Sequence, residues 1–232
     1  MSSRPVTIVS GIGFGLGVSL ANQFAAAGYD VLGLARSSRV AHEAAAAAET
    51  AGGTYWHRVC DITQTEQVRT AIGPMLGRVQ VLVHAAHELL IKPFRETEVL
   101  EFETVWRSSC YGSMIVSHEV VPGMVARGDG TIIFSGATAG LRGGAGFAAF
   151  ASAKFAVRGL SQALARELGP QGIHVAHVVL DGLIDEPQTN ERFGPPKSSR
   201  MNPDEIAAAY LALVRQDRSA WSQEIDLRPS SE

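Results

Sequence analysis

The stretch VSGIGFGLG, residues 9–17, joins a short apolar run to a helical pattern and decides how the fold begins. The run PVTIVS at 5–10 predicts a buried strand, and residues 15–28 predict an amphipathic helix that ends at a glycine. Glycine recurs at every second position from 11 to 17, which allows a sharp turn and a close approach of the backbone to a bound group. A strand, a glycine-rich turn and a helix in this order indicate the start of a βαβ unit.

Short apolar runs alternate with longer amphipathic segments along the rest of the chain. Further strands are predicted at 30–35, 54–59, 79–86, 130–135, 173–180 and 221–229. Further helices are predicted at 39–53, 64–76, 98–127, 147–168 and 203–216. Strands that are apolar throughout suit a parallel sheet covered on both faces, and repeated strand–helix units indicate a doubly wound α/β fold. We therefore predict one Rossmann-type domain over residues 1–232 with about seven strands, and no element in the turn-rich segment 181–203.

The composition argues against several classes of function. A net charge of −3 gives no reason to expect nucleic acid or an anionic membrane as a partner. No apolar run reaches the roughly 18 residues that span a bilayer, and no signal-peptide core is present, so we expect a cytoplasmic protein. Cys60 and Cys110 form no spacing motif, and His174 and His177 are expected on opposite faces of one strand. We therefore predict no metal site.

The glycine-rich turn is predicted to hold a phosphate group. The helix that follows presents unpaired N–H groups and the positive end of its dipole to an anion. The alternative is a tight turn that binds nothing, but its place at the start of a βαβ unit favours a dinucleotide. The residues expected at the dinucleotide phosphates are Ser10, Gly11, Gly13, Phe14, Gly15 and Leu16.

The end of the second strand indicates which dinucleotide is bound. In NAD-binding folds this position usually carries an acid that accepts hydrogen bonds from the ribose hydroxyls. Here it is Ala35, and Arg36 and Arg39 follow. Guanidinium groups pair with a 2′-phosphate, which a carboxylate would repel, so the sequence favours NADP(H). The alternative is that both arginines are solvated surface charges.

These motifs resemble the short-chain dehydrogenase/reductase family from about residue 5 to residue 185. Ser10-Gly11 with Gly15 and Gly17 matches the family's TGxxxGxG turn, with serine in place of threonine, and residues 152–175 are similar to its catalytic helix and next strand. The resemblance implies an NADP(H)-dependent oxidoreductase with a small-molecule substrate.

The same resemblance implies further contacts. The segments CDIT at 60–63 and DGLID at 181–185 correspond to the family's adenine and nicotinamide loops. The additional cofactor-binding residues that the resemblance implies are Asp61, Ile62, Ala85, Ala86, Lys154, Gly182 and Ile184. It also implies a homodimer or homotetramer paired through the helices at 98–127 and 147–168.

The catalytic pattern of the family is altered in this chain. Family members reduce a carbonyl with a Tyr-xxx-Lys pair, a serine and an asparagine; the tyrosine donates the proton and the lysine holds the nicotinamide ribose. By resemblance, Phe150 stands at the tyrosine position and Lys154 is kept. Ala137 and Ser109 stand where the serine and the asparagine would be. A positioned acid contributes about 10²–10⁴ in rate, so ordinary ketone reduction is expected to be nearly absent unless another donor takes over.

Several polar residues are available to a remodelled pocket. Asp181 replaces a family proline, and a carboxylate there is expected to cap a turn or to meet a cation or a substrate. His84 and His87 are expected to be structural, and Thr138 is expected to face away from the site. The candidate catalytic residues are Lys154, Phe150, Ser109 and Asp181.

Three functions stay open at this point. The first is an NADP(H)-dependent oxidoreductase that works without the tyrosine. The second is a protein that binds NADP(H) as a sensor or scaffold without turnover. The third is an isomerase, dehydratase or lyase that uses the same pocket without redox chemistry.

Overall fold

The computed structural model describes residues 4–195 and 199–230, which form a parallel sheet with helices on both faces. The strands are β1 (Val6–Ser10), β2 (Asp30–Ala35), β3 (Tyr55–Val59), β4 (Val79–His84), β5 (Gly130–Ser135), β6 (Ile173–Leu180) and β7 (Glu224–Leu227). Their order across the sheet is β3-β2-β1-β4-β5-β6-β7, and each neighbouring pair is parallel. The chain winds in opposite directions from the contact between β1 and β4, which confirms the predicted doubly wound α/β fold.

The helices cover the two faces of the sheet. They are α1 (Leu16–Ala26), α2 (Ala41–Thr50), α3 (Thr65–Ile72), α4 (Val99–Trp106), α5 (Gly112–Arg127), α6 (Ala148–Leu168), α7 (Pro187–Phe193) and α8 (Pro203–Val214). One large hydrophobic cluster lies under α1, α2 and α8, and a second lies under α3, α5 and α6. Strands β1 and β6 are buried along their whole length, as expected for parallel strands covered on both faces. In the described part of the chain, no helix is long and apolar enough to cross a bilayer.

Two of the predicted helices contain a change of helix type. The helix predicted at 98–127 includes a π-helical turn, Arg107–Tyr111, between α4 and α5. The helix predicted at 64–76 ends at Ile72, and the chain continues as a 3₁₀ helix at Gly73–Arg78. Pro74 explains this change, because proline has no N–H to continue the α-helical hydrogen bonds.

The prediction of no element at 181–203 is wrong, because this segment contains α7. The helix has only seven residues, PQTNERF, and no apolar periodicity announces it. Its proline stands at a first-turn position, where a missing N–H costs no hydrogen bond. The last predicted strand, at 221–229, is confirmed as β7, which pairs with β6.

The backbone of Gly11 crosses very close to the segment that follows β4. A Cβ at Gly11 would lie 2.3 Å from the Cα of Ala86, and its φ of +81° lies in the region that favours glycine. The Ala85 N–H donates to the Ser10 carbonyl at 2.8 Å, which holds the end of β1 against the segment that follows β4. Gly11 and Ile12 both donate to the Leu34 carbonyl, so the turn is also tied to β2. The glycine therefore fixes where β1 and β4 separate.

We expect Gly11→Ala to lower the free energy of unfolding by about 2–5 kcal/mol, because it adds overpacking against backbone to the strain of positive φ. Gly28→Ala is the matched control, since Gly28 has a φ of +94° and nothing within 4 Å of its Cβ position. That variant should lose only about 1 kcal/mol. Urea unfolding of both variants measures the difference, and equal losses would show that the close approach is unimportant.

Candidate functional site

The candidate site lies at the carboxyl ends of the strands, where β1 and β4 diverge. In open α/β sheets, ligands bind in the crevice at this point of reversed strand order. The α1 helix begins there, and its N-cap is Gly15, with a φ of +70° and no side chain to satisfy the first N–H groups. The N-terminus of α1 therefore offers a place for an anion supplied from elsewhere.

The predicted phosphate-binding residues contribute backbone rather than side chains. Ser10 is fully buried, and its hydroxyl has no hydrogen-bond partner among the described residues. Leu16 is buried and Phe14 is half-buried, and both pack into the core cluster under α1. Space remains around Gly13, where a Cβ would lie 3.6 Å from the Gln188 side chain. The turn thus presents an open backbone surface to the crevice.

A carboxylate from α7's N-cap lies against this turn. A Cβ at Gly15 would lie 2.5 Å from the Cβ of Glu186 and 2.8 Å from its Oε2. Burial raises the pKa of Glu186, and a hydrogen bond from the Leu16 backbone N–H opposes that rise. The sequence gives no local signal for this contact, because Glu186 lies about 170 residues from the turn along the chain. Glu186 is the clearest site residue that sequence reasoning missed.

Arg36 and Arg39 lie at the exposed end of the crevice, beyond β2. The Arg36 Nη2 atom lies 3.0 Å from Oε2 of Glu88, and both side chains are largely solvated. Such a surface ion pair contributes about 0–1 kcal/mol, so it can give way to another anion. The two arginines stand where the sequence places them, but Glu88 was not anticipated as a partner.

Asp61 and Ile62 follow β3 and have structural contacts. The Asp61 carboxylate accepts hydrogen bonds from the Thr63 backbone at 2.9 Å and from its hydroxyl at 2.8 Å. This is the arrangement of an Asx turn. Ile62 is buried, and a Cβ at Gly112 would lie 2.7 Å from its side chain. Ile62 therefore belongs to the core at this edge, and Asp61 shapes the loop.

Lys154 is a buried cation on α6. It is 3% exposed, and its Nζ donates a 2.8 Å hydrogen bond to the Ser135 carbonyl at the end of β5. Burial lowers its pKa from 10.5 to about 8. The same ammonium and the burial of His84 lower the pKa of that imidazole to about 3, with burial as the larger cause. The cation is thus held at a cost in free energy.

Phe150 lies one helical turn before Lys154 and faces an apolar cluster. Lys154 Nζ is 5.6 Å from the centre of its ring, within the range of a cation–π interaction. The His87 ring centre lies 6.0 Å away on another side. The apolar residues of this cluster are Leu89, Leu90, Phe102, Val105, Ala137, Ala139, Phe147, Ala149 and Ala153. The ring is therefore packed as a core side chain beside the cation.

Ser109 lies fully buried in the π-helical turn, and its hydroxyl has no hydrogen-bond partner within the described part of the chain. Its carbonyl lies 3.0 Å from Nε2 of His84. Because a carbonyl can only accept, the proton of the neutral His84 imidazole is on Nε2. π-helical turns often occur at functional sites, and this one places an unpaired hydroxyl behind the crevice.

Asp181 is buried at the end of β6 and has two partners. The Thr138 hydroxyl donates to its Oδ1, and Arg228 lies 3.6 Å from its Oδ2. The expectation that Thr138 faces away from the site is therefore wrong. Strand alternation ends with β5, and the 3₁₀ turn Thr138–Gly140 turns the side chain toward β6. Asp181 was expected to cap a turn or to meet a cation or a substrate, and in the structure it meets the cation of Arg228.

The remaining predicted residues lie on loops at the same edge. Ala85 and Ala86 follow β4, and Ala86 packs against Gly11. Gly182 has a φ of +158°, and a Cβ there would lie 2.8 Å from the Pro229 ring. Ile184 forms an isolated parallel bridge with Met201, which ties the loop to the start of α8. Ala85, Ala86 and Gly182 line the edge through backbone and small side chains, whereas the Ile184 side chain packs against the core cluster under α1.

Comparison with known proteins identifies the family. The sequence model of the short chain dehydrogenases matches residues 5–193. The chain belongs to the short-chain dehydrogenase family. It is 31% identical to the short-chain reductase protein NovJ of Streptomyces niveus, over 94% of this chain and 89% of that protein. Other relatives are also named as reductases or dehydrogenases. One is a D-threitol dehydrogenase of Mycolicibacterium smegmatis, which is 26% identical over 96% of this chain and 90% of that protein. The family is therefore one of oxidoreductases.

Solved structures agree with this assignment. A short-chain dehydrogenase from Rhodopseudomonas palustris is 34% identical over 97% of this chain and 99% of that chain, with a TM-score of 0.84. A metagenomic short-chain oxidoreductase in complex with NADP is 23% identical, covers 97% of both chains and has a TM-score of 0.84. At that identity, the second likeness shows the fold alone.

The predicted site residues of this short-chain dehydrogenase family member lie at three places along the carboxyl edge of the sheet. Lys154 and Phe150 are brought together with His87, which sequence reasoning treated as structural. Arg36 and Asp61 lie on loops after β2 and β3. The N-terminus of α1 begins beside β1, between the ends of β2 and β4 in the sheet order.

We expect Lys154→Met to raise the free energy of unfolding at pH 7 by up to about 3 kcal/mol, because the folded protein binds this proton more weakly than the unfolded chain. Between a pKa of about 8 and one of 10.5, the unfolded chain holds more protons, so wild-type stability rises with pH. The variant's advantage should therefore shrink from pH 8 to pH 10.5. Urea unfolding across this range measures it, and a constant difference would contradict the burial of a charged lysine.

Proposed function

We propose that this chain binds NADP(H) and transfers a hydride between it and a small-molecule substrate without a catalytic tyrosine. The observation that carries the proposal is the buried cation of Lys154. Its hydrogen bond goes to the neutral Ser135 carbonyl, which compensates a buried ammonium only in part. Perturbed, costly cations of this kind cluster at functional sites. A ribose hydroxyl pair supplies the missing acceptors.

The residues present fit a dinucleotide at three places along the crevice. The backbone at Gly13 and the N-terminus of α1 suit a pyrophosphate, provided that the Glu186 carboxylate leaves the turn or loses its charge. Arg36 suits a 2′-phosphate, because a guanidinium binds phosphate bidentately. Lys154 suits the nicotinamide ribose. When bound, the nicotinamide supplies or accepts the hydride, and the chain orients it and excludes water.

The proton must come from a group other than residue 150. Phe150 and Ala137 carry no hydroxyl, and the Thr138 hydroxyl already donates to Asp181. Among the described contacts, His87 is the titratable side chain whose ring faces Phe150. Burial and then the Lys154 ammonium lower the pKa of His87 to about 4, so its imidazole is neutral near pH 7 and does not serve as the acid. We propose that water delivers the proton, at a rate below that of a positioned phenol, which typically contributes about 10²–10⁴.

A second function is favoured by the packing of Phe150. Its ring is 8% exposed and lies among apolar side chains from α4, α6 and the loop after β4. Such packing stabilises the folded protein and needs no chemistry at this position. The alternative proposal is therefore a protein that binds NADP(H) as a sensor or scaffold without turnover.

Assembly and location also remain proposals. We propose a homodimer or homotetramer paired through α4, α5 and α6. Apolar side chains on these helices support it, because they are at least one-third exposed: Val99, Leu100, Trp106, Met114 and Phe155. We further propose a cytoplasmic location, with neither nucleic acid nor membrane as a partner.

For cofactor choice, we expect Arg36→Ala to weaken NADPH binding about 10- to 100-fold and to leave NADH binding nearly unchanged. A charge-assisted hydrogen bond to phosphate is worth about 1.5–3 kcal/mol, and NADH carries no 2′-phosphate. Arg58→Ala is the control, since this exposed arginine on β3 bonds the carbonyl of its own neighbour, His57. Titration calorimetry with both cofactors gives the ratio. Equal losses for NADPH and NADH would remove the argument for NADP(H).

For catalysis, we expect the wild type to reduce ordinary ketones slowly, and Phe150→Tyr to raise that rate by about 10²-fold or more. The substitution places a phenol beside the Lys154 ammonium, which favours the phenolate and so eases proton transfer. Phe150→Leu is the control, because it changes the ring without adding an acid. NADPH oxidation with a panel of ketones, activated alkenes and imines measures the rates.

The same panel separates the two proposed functions. Turnover of any of these classes by the wild type supports the oxidoreductase. Tight NADPH binding with no turnover in the wild type, and turnover only in the tyrosine variant, supports the sensor or scaffold.

A further inference from the structure

The N-terminus of α1 is already occupied by an anion from the protein itself. Gly15 has no side chain to cap the helix, and the Glu186 Oε2 atom lies 2.8 Å from the position that a Cβ of residue 15 would take. The Leu16 backbone N–H lies close enough to this carboxylate to lower its pKa, against the larger upward effect of burial. An anion at a helix N-terminus is stabilised by the helix dipole, and more so when it is partly buried. Glu186 therefore serves as a cap that comes from a distant part of the chain.

The segment that carries Glu186 is held over the crevice by several contacts. The Asn190 N–H donates to the Glu186 carbonyl at 3.1 Å, which starts α7. At the far end of α7, Arg192 donates to the Leu89 carbonyl at 2.9 Å, beyond the end of β4. On the other side, the Asp185 backbone N–H donates to the Met201 carbonyl at 2.9 Å. The carboxylate is thus positioned by a fixed segment rather than by a free loop.

A dinucleotide pyrophosphate and this carboxylate require the same N–H groups. Two negative charges that share one binding position repel each other, and the repulsion is stronger at a protein surface than in bulk water. Binding of the phosphates therefore requires that Glu186 leave the turn or lose its charge. Either step subtracts from the affinity that the crevice would otherwise show.

We propose that Glu186 is an affinity-determining residue that competes, as an internal anion, with the phosphates of the cofactor. The proposal rests on the proposed function, because it requires that a dinucleotide bind in this crevice. It extends that function by assigning selectivity: Glu186 penalises ligands with a phosphate at the α1 N-terminus and spares ligands that lack one. The occupant it discriminates against is a pyrophosphate-bearing nucleotide.

The test compares NADPH binding to the wild type, Glu186→Gln and Glu191→Gln by titration calorimetry. Glutamine keeps the shape of Glu186 and can still cap the helix, but it removes the charge. Glu191 is the matched control, since it is an exposed glutamate on the same helix and its substitution changes the net charge equally. We expect Glu186→Gln to tighten NADPH binding at least about tenfold, and Glu191→Gln to leave it within about twofold of the wild type.

A second ligand locates the effect. Adenosine 2′-monophosphate has the 2′-phosphate but no pyrophosphate, so its affinity should be the same for the wild type and Glu186→Gln. Glu186→Ser should also tighten NADPH binding, which keeps the test valid if the glutamine variant is poorly folded. Thermal unfolding of each variant checks the fold.

The outcomes are distinguishable. Measurable NADPH binding that is equal for the wild type and both Glu186 variants overturns the competition and leaves the proposed function standing. A gain for adenosine 2′-monophosphate equal to that for NADPH also overturns it, because the effect would then be a general one of net charge. No NADPH binding by any of these proteins overturns the proposed function and the competition together.

Discussion

The site depends on the close contact between the backbone of Gly11 and that of Ala86. At this point β1 and β4 are neighbours, yet the chain continues from them to opposite faces of the sheet. A side chain at Gly11 would overlap the Ala86 backbone, so the contact exists only because residue 11 is glycine. The crevice between the two loops follows from this constraint, and so does the exposed start of α1. The other functional groups are placed around it by the parallel strands, whose ends meet at the same edge.

The buried charge at this edge of the sheet lowers the stability of the folded protein. Lys154 is buried beside the apolar face of Phe150, and burial lowers its pKa to about 8. An apolar side chain in place of Lys154 would make the folded protein more stable, since a buried charge without an opposite charge carries a desolvation cost. The fold accepts this cost where a dinucleotide would supply acceptors. His84, whose pKa is lowered to about 3 mainly by burial and then by Lys154, stays neutral and holds the Ser109 carbonyl without adding a second positive charge.

Local patterns were enough to predict much of the fold. The alternation of apolar runs and amphipathic segments predicts the sheet and most of its helices, because each pattern reports the face that the element buries. The glycine turn is equally local: strand, turn and helix are consecutive. The π-helical turn at Arg107–Tyr111 and the short α7 have no periodicity of their own, so no pattern announces them. Element boundaries moved by a few residues, as at Pro74 after α3.

The site was less predictable, because its contacts join distant parts of the chain. Glu186 meets Gly15, and Glu88 meets Arg36, across separations that no spacing rule covers. The expectation for Thr138 fails because strand alternation ends with β5 at Ser135, and Thr138 begins a 3₁₀ turn. The positions of Lys154 and Phe150 could be read from their four-residue spacing, whereas the apolar environment of the ring depends on α4 and on the loop after β4.

The two departures at the site act on different steps. In our proposal, Glu186 acts on binding: its effect would be a factor in Kd, and a sufficient concentration of cofactor would overcome it. Under the proposed function, Phe150 would act on the barrier to proton transfer. Cofactor concentration would not change that barrier, because it changes only the fraction of enzyme that is loaded. A weak activity at low cofactor concentration therefore has two separable causes. Saturation removes the contribution of Glu186, and the rate that remains reports on the chemistry beside Lys154 alone.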